Sequence, residues 1–181
     1  MTCIAGIAHM GKVYIGGDSA GVSGMDIIAR ADQKVFTNGE FIFGFTTSFR
    51  MGQLIRYAFE PPKRHPDQDL MEYMVIDFVN SLRYVLTEGA MASNNDGVET
   101  AGTFLVGHQG RLFTIDADYQ VGESLMGYDS VGCGSQIALG SLFSTDKMKK
   151  TMKPTDRIEM ALQAAEAFSA GVIGPFTILD I

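Results

Sequence analysis

A threonine stands second in the chain, directly after Met1. Methionine is normally trimmed before a small residue, and its removal leaves Thr2 with a free α-amine. A threonine hydroxyl is ordinarily a poor nucleophile because nothing beside it takes its proton. An α-amine, with a pKa of about 7.7–8.0, is a base suited to neutral pH and lies on the same residue. Thr2 is therefore a candidate nucleophile for acyl transfer, although taken alone it is equally an ordinary small second residue. Two charged residues follow: Asp18 within Gly16-Gly17-Asp18-Ser19-Ala20, and Lys34 within Asp32-Gln33-Lys34-Val35-Phe36. They lie 16 and 32 residues after Thr2.

Other chemistry-bearing residues do not assemble into patterns. His9, His65 and His108 are scattered without HExxH or comparable metal spacing, and turn or surface roles suit them better. Gly132-x-Gly134 lacks a third glycine at position 137, where Ile137 stands, so a dinucleotide site fails. Asp116-Ala117-Asp118 reads as a solvated turn, because an EF-hand needs more acidic positions and a glycine. Cys3 as an N-terminal nucleophile would break the register with Asp18 and Lys34.

The combination of Thr2, Asp18 and Lys34 resembles the proteasome β-subunit family, including the bacterial peptidase that pairs with a ring ATPase. In that family the mature N-terminal Thr, an Asp and a Lys stand at these intervals. The resemblance implies an N-terminal-nucleophile (Ntn) hydrolase fold, a four-layer αββα sandwich of two antiparallel sheets flanked by helices. It also implies roles. Lys34 beside the hydroxyl lowers the electrostatic cost of the developing alkoxide, and Asp18 keeps that lysine charged and in position.

Gly132-Cys133-Gly134-Ser135, just before a helix, matches the family's Gly-Ser-Gly segment, whose first Ser bonds the terminal amine. Here Cys133 takes that place, a weaker hydrogen-bond partner whose part Ser135 could assume. Cys133 also fits the role of a small buried hydrophobe. Glu166-Ala167-Phe168-Ser169-Ala170-Gly171 resembles Asp-Ala-Tyr-Ser-Gly-Gly and implies Glu166 and Ser169 near the Thr2 amine. An exposed helix position suits Glu166 equally well. The family's oxyanion-hole Gly, 46 residues after the Thr, corresponds to Ser48, whose backbone N–H would be the donor.

The activity so implied is that of a threonine-type endopeptidase working through an acyl ester on peptides or unfolded protein. It needs no metal or organic cofactor. Family members shut their sites inside stacked rings, so a homo-oligomeric ring and an ATPase partner are expected. Two other readings stay open: an Ntn amidohydrolase acting on a small amide, and an inactive proteasome-like structural subunit. Ser48 and Cys133 bear on the latter, and a retained Met1 would turn the base into a peptide amide.

Composition fits these readings. The 181 residues are 46% hydrophobic and 19% charged, enough for one domain over 1–181 with a sizeable core. A net charge of -7 argues against nucleic-acid binding, which needs a basic face. The longest basic cluster, Lys147, Lys149, Lys150 and Lys153, suits a solvated helix end. Two cysteines without CxxC spacing give no disulfide framework. No signal-peptide pattern or membrane-length apolar run is visible, so a cytoplasmic protein is expected.

The elements that must position these residues are read from periodicity. Residues 3–8 and 13–15 are extended runs around a turn at His9–Lys12, and Asn38-Gly39 marks a hairpin between 34–36 and 41–43. Met51, Leu54, Ile55 and Ala58 predict a helix ended by Pro61-Pro62. Leu70, Met74, Phe78, Leu82 and Val85 predict another over roughly 68–88. Residues 89–100 read as a loop, and 102–107, 111–116 and 119–126 as strands. A helix is expected from Ser135 to about Phe143. Pro154 opens another whose stripe is Ile158, Ala161, Leu162, Ala165 and Phe168, and a strand over 176–179 follows. Segregated strand and helix blocks of this kind define an α+β chain with antiparallel sheet.

Overall fold

In the computed structural model, which describes residues 1–95 and 98–181, the N-terminal third is antiparallel strand, as its extended runs and turn signals predict. β1 (Cys3–His9) and β2 (Lys12–Gly17) pair around Met10 and Gly11, which adopt φ of 50° and 78°. β3 (Ala20–Ser23) and β4 (Asp26–Ala29) form a separate short hairpin that periodicity did not reveal. β5 (Val35–Asn38) and β6 (Phe41–Phe45) pair with Asn38 opposite Phe41. The two-residue loop is therefore Gly39-Glu40, one residue beyond the Asn-Gly pair. Asn38 is used by the next helix, donating from Nδ2 to the carbonyls of Ile55 and Phe59 at 2.9 and 2.7 Å.

α1 (Phe49–Tyr57) buries Met51, Leu54 and Ile55 and stops well before Pro61. Ala58 lies just past its end and is exposed, while Phe59 takes the buried place. α2 (Leu70–Tyr73) starts at Asp69, whose carboxylate accepts from the amides of Met71 and Glu72 at 2.8 and 3.1 Å. A π-turn over Met74–Phe78 joins it to α3 (Val79–Glu88). An α-helix drifts by about 40° for each step of four residues, and a π-turn sets that drift back. Leu70, Met74, Phe78, Leu82 and Leu86 consequently stay buried on one face, and Val85 is only half-buried.

Within 89–100, expected as a loop, β7 (Ser93–Asn95) pairs with β8 (Val98–Thr100); residues 96 and 97 lie outside the described residues. β9 (Phe104–His108) and β10 (Arg111–Ile115) flank Gln109 and Gly110 as predicted. His108 is not a surface residue: it is buried, its ring stacks on Phe41 at 3.9 Å, and Nδ1 lies 2.9 Å from the Glu40 carbonyl oxygen. The strand expected over 119–126 shrinks to β11 (Val121–Glu123), and a second, unanticipated strand follows, β12 (Tyr128–Gly132). α4 (Ser135–Asp146), α5 (Pro154–Phe168) and β13 (Thr177–Asp180) complete the chain.

One sheet has the order β12-β1-β2-β13 and the other β11-β10-β9-β6-β5. Ile4, Val13 and Ile15 of the first pack with Ile42, Leu105 and Leu112 of the second. A Cβ on Gly44 would lie 2.4 Å from Ile4 Cγ2, so this glycine lets the two strands approach. A second cluster joins Cys3, Ala5 and Ile7 to Ala138, Leu142, Ile158 and Leu162 of α4 and α5. A third joins Phe36, Phe43 and Val106 to Met51, Ile55, Phe78 and Leu82 of α1–α3. Full burial of each Val, Leu, Ile, Phe or Met side chain among them contributes about 1.5–3 kcal/mol. Phe168, expected on the buried stripe of α5, is 80% exposed because the helix ends there and turns away. No helix among the described residues is long and apolar enough to cross a membrane.

Candidate active site

Asp18 sits where β2 ends, and its carboxylate is fully engaged. Oδ1 accepts from the Cys3 amide at 2.9 Å and Oδ2 from the Ala20 amide at 2.9 Å. Lys34, just before β5, donates from Nζ to both oxygens at 2.9 and 3.0 Å. The first of these bonds fixes the backbone next to Thr2, and the last fixes the lysine. Thr2 is only 5% exposed and lines the same cavity as Lys34. Burial pushes the Lys34 pKa below its ordinary value, and the Asp18 charge and hydrogen bonds oppose that shift. The Cys3 thiol, buried beside this group, is pushed up to about 12, chiefly by desolvation.

The Thr2 backbone is clasped from the other side by the end of β12. Register pairs Cys3 with Gly132. Gly132 has φ of 101°, and a Cβ there would lie 2.3 Å from the Thr2 carbonyl oxygen. Only glycine permits both the conformation and the approach. Cys133 follows, and the Thr2 N–H donates to its Sγ at 3.2 Å. The thiol in turn lies 3.4 Å from the Thr2 carbonyl oxygen and 3.5 Å from Ser169 Oγ. Met1 is attached here, so the Thr2 nitrogen is an amide, and the Thr2 hydroxyl donates to the Met1 carbonyl.

Two expected site residues are differently engaged. Glu166 is exposed near the end of α5, and its Oε1 accepts from the Gly174 amide at 2.7 Å. It braces the 169–174 turn, whereas Cys133 is the partner of the Thr2 nitrogen. Ser169, by contrast, reaches the cluster through Cys133. Ser135 opens α4 and leaves the Thr2 nitrogen to Cys133.

Ser48 lines the cavity as its position in the sequence implies. Its amide is not free for an oxyanion: it donates to the Thr46 carbonyl at 2.8 Å, across Thr47 with φ of 70°. This is a γ-turn centred on a β-branched residue in the left-handed region, a strained conformation. Thr46 is anchored by Oγ1 to the Thr103 carbonyl at 2.9 Å and to Thr47 Oγ1 at 3.1 Å. A Cβ on Gly102 would lie 2.9 Å from Thr47 Oγ1, so Gly102 makes room for the turn. The run Phe45-Thr46-Thr47-Ser48 carried no recognisable signal of this conformation.

The cavity beside Thr2 has a volume of about 230 Å³. One wall is the β3–β4 hairpin, through Gly21, Ile28 and Arg30, and another is Phe49 at the start of α1. The Arg30 guanidinium lies 3.8 Å over the Phe49 ring and grips Asp32 with Nε and Nη2 at 2.7 and 2.6 Å. These wall residues were missed in the sequence analysis. Asp116 and Asp118 form the expected turn, accepting from Gln120. No group of three or more His, Cys, Asp or Glu that could hold a metal occurs among the described residues.

Two antiparallel sheets with helices give this chain the fold of the proteasome-type N-terminal-nucleophile peptidases, and Thr2, at the head of β1, lines one cavity with the buried Lys34. Among solved structures, the chain is similar to Thiobacillus denitrificans BPH, free and in complex with epoxomicin. Both comparisons give a TM-score of 0.81 and 18% identity, covering 99% of this chain and 97% or 98% of that one. It is also similar to eukaryotic HslV from Trypanosoma brucei, with a TM-score of 0.70 and 15% identity over 99% of this chain and 98% of that one. At these identities the likeness is one of fold. No protein-family model and no curated protein matches the sequence.

Proposed function

We propose that the chain is a threonine-type peptidase whose nucleophile is Thr2 once Met1 has been removed. The observation that carries this reading is the Asp18 carboxylate, which ties Lys34 to the backbone beside Thr2 inside one cavity. The Thr2 hydroxyl adds to a peptide carbonyl while its proton passes to the α-amine. The lysine charge offsets the developing alkoxide. Collapse of the tetrahedral intermediate returns the proton to the leaving amine and leaves an acyl ester. Water then adds, giving its proton to the same α-amine, and the carboxylic acid departs with the hydroxyl restored. Cys133 and Ser169 relay or orient the amine proton, a role supported by the contacts of Cys133 Sγ with the Thr2 nitrogen and Ser169 Oγ.

The three apolar clusters support a helix–sheet–sheet–helix order, the four-layer αββα sandwich, built as one domain over 1–181. The likeness to HslV supports a homo-oligomeric ring in the cytoplasm, with peptides or unfolded protein as substrate and an ATPase as partner. A second reading, an inactive proteasome-like subunit, is favoured by the Ser48 amide being occupied within the γ-turn. An amidohydrolase of small amides has no such observation in its favour.

Hydrolysis of a panel of fluorogenic peptides by the wild type, Thr2→Ser and Thr2→Ala separates these. Cleavage retained in Thr2→Ser and abolished in Thr2→Ala supports the nucleophile. Equal rates in Thr2→Ala and wild type contradict it, and no cleavage by any of them favours the inactive subunit.

A further inference from the structure

Of the charged side chains that line the cavity, one has no partner among the described residues, and it points to the side chain that the cavity accepts. Lys34 is matched by Asp18 and Arg30 by Asp32, each through two hydrogen bonds. Asp26 also lines the cavity, and its carboxylate has no hydrogen bond or ion pair among the described residues. Pairing in the β3–β4 hairpin sets Ser23 opposite Asp26 and Gly21 opposite Ile28, so Asp26, Ile28 and Arg30 share the face turned to the cavity. Gly21 belongs to the same arrangement: a Cβ there would lie 2.6 Å from Arg30 Cδ, so its absence lets the arginine stem lie across the hairpin. Arg30 is held down on Phe49 and on Asp32, away from competition for Asp26.

From this geometry we infer that Asp26 determines specificity: the cavity beside Thr2 takes a basic side chain of the peptide substrate and disfavours an acidic one. This deepens the proposed peptidase function and rests on it. An arginine or lysine suits the cavity because its methylene stem is apolar, like Ile28 and Val22, while its charged head can stay at the wet rim with Asp26 and the Ser23 hydroxyl. A carboxylate in the same place meets an unpaired carboxylate. Apolar side chains are accepted at an intermediate rate, since the walls serve their surface without serving a charge.

The test compares kcat/KM for three fluorogenic peptides that differ only in carrying Arg, Leu or Glu immediately before the scissile bond. The enzymes are the full-length wild type, Asp26→Asn, Asp26→Lys and, as a control for net charge, Asp67→Asn at an exposed turn. The expected order in the wild type is Arg, Leu, Glu. The Arg-to-Glu ratio falls about tenfold in Asp26→Asn, from two opposite effects each within the range of an exposed charge pair. It inverts in Asp26→Lys and is unchanged in Asp67→Asn. The Leu rate stays nearly constant, and the ratio shrinks at 0.5 M salt because the charge is exposed. Normal cleavage with a ratio that ignores Asp26 overturns the specificity assignment alone. No cleavage of any peptide, together with no covalent adduct from a peptide epoxyketone, overturns the peptidase reading and this assignment with it.

Discussion

Asp18 binds Lys34 with both carboxylate oxygens, Nζ lying 2.9 and 3.0 Å away, and neither side chain is more than 1% exposed. The pair is the only ion pair among the described residues with both side chains so deeply buried, and its burial makes each partner dependent on the other. Asp18→Asn leaves a buried ammonium without a counter-charge, and unfolding by urea should show a loss of about 3–5 kcal/mol. The double variant Asp18→Asn with Lys34→Met should be less destabilised than the sum of the single changes, because neither charge is then orphaned. Additive losses in that cycle would contradict a coupled pair.

Gly132 should tolerate no side chain. Alanine at φ of 101°, with its Cβ 2.3 Å from the Thr2 carbonyl oxygen, must displace either β12 or Thr2. Gly132→Ala is expected to destabilise the protein by more than about 2 kcal/mol and to abolish any reaction at Thr2. Gly24→Ala, strained by its φ of 59° but with nothing within 4 Å, provides the comparison. It should lose about 1 kcal/mol and keep its activity. Equal effects of the two changes, measured by thermal melting and peptide cleavage, would remove the clasp from the description.

The γ-turn at Thr46–Ser48 predicts a gain. Thr47 holds φ of 70° with a branched side chain, and glycine occupies that region without steric cost. Thr47→Gly should stabilise the protein by about 1 kcal/mol in urea unfolding, after the larger unfolded-state entropy of glycine is deducted. A loss of stability would show that the Thr46–Thr47 hydroxyl contact outweighs the backbone strain.

The buried Cys3 thiol predicts an alkaline signature. Its pKa is raised to about 12 in the folded protein, so the folded state keeps a proton that the unfolded chain releases near pH 9. The stabilisation is fully present below the unfolded value and is lost as pH rises toward 12. Comparing wild type with Cys3→Ala isolates it: the wild-type advantage should be nearly constant from pH 7 to 8 and shrink by about 1.4 kcal/mol at pH 10. An advantage unchanged at pH 10 would place the thiol in contact with water.

What the sequence disclosed about the site reflects how local its determinants are. Thr2, Asp18 and Lys34 were legible through the intervals at which they resemble the proteasome β-subunit family; periodicity alone did not place Lys34, since the β3–β4 hairpin separates it from Asp18. Between the two readings open for Glu166 the sequence could not choose, because its partner, the Gly174 amide, returns through a Gly-Pro turn that carries no periodic signal. β12 was overlooked because Asp129 and Ser130 interrupt its apolar pattern; they are satisfied by Thr114 Oγ1 and by the Ile4 carbonyl, contacts that only the fold supplies. The β3–β4 hairpin packs few apolar groups and leaves Ile28 and Met25 exposed, so no core face was available to recognise. The even four-residue spacing of Leu70, Met74, Phe78 and Leu82 did announce a helix. It also carried the π-turn, since a regular α-helix would have rotated the last of them out of the core.

The most direct measurement is the intact mass of the purified protein before and after incubation with a peptide epoxyketone, which reacts durably only where a hydroxyl and a free α-amine share one residue. The expected result is a mass lacking Met1 that gains one adduct per chain, with no adduct in Thr2→Ala. A chain that retains Met1 and gains no adduct, or an adduct that persists in Thr2→Ala, would contradict Thr2 as the nucleophile.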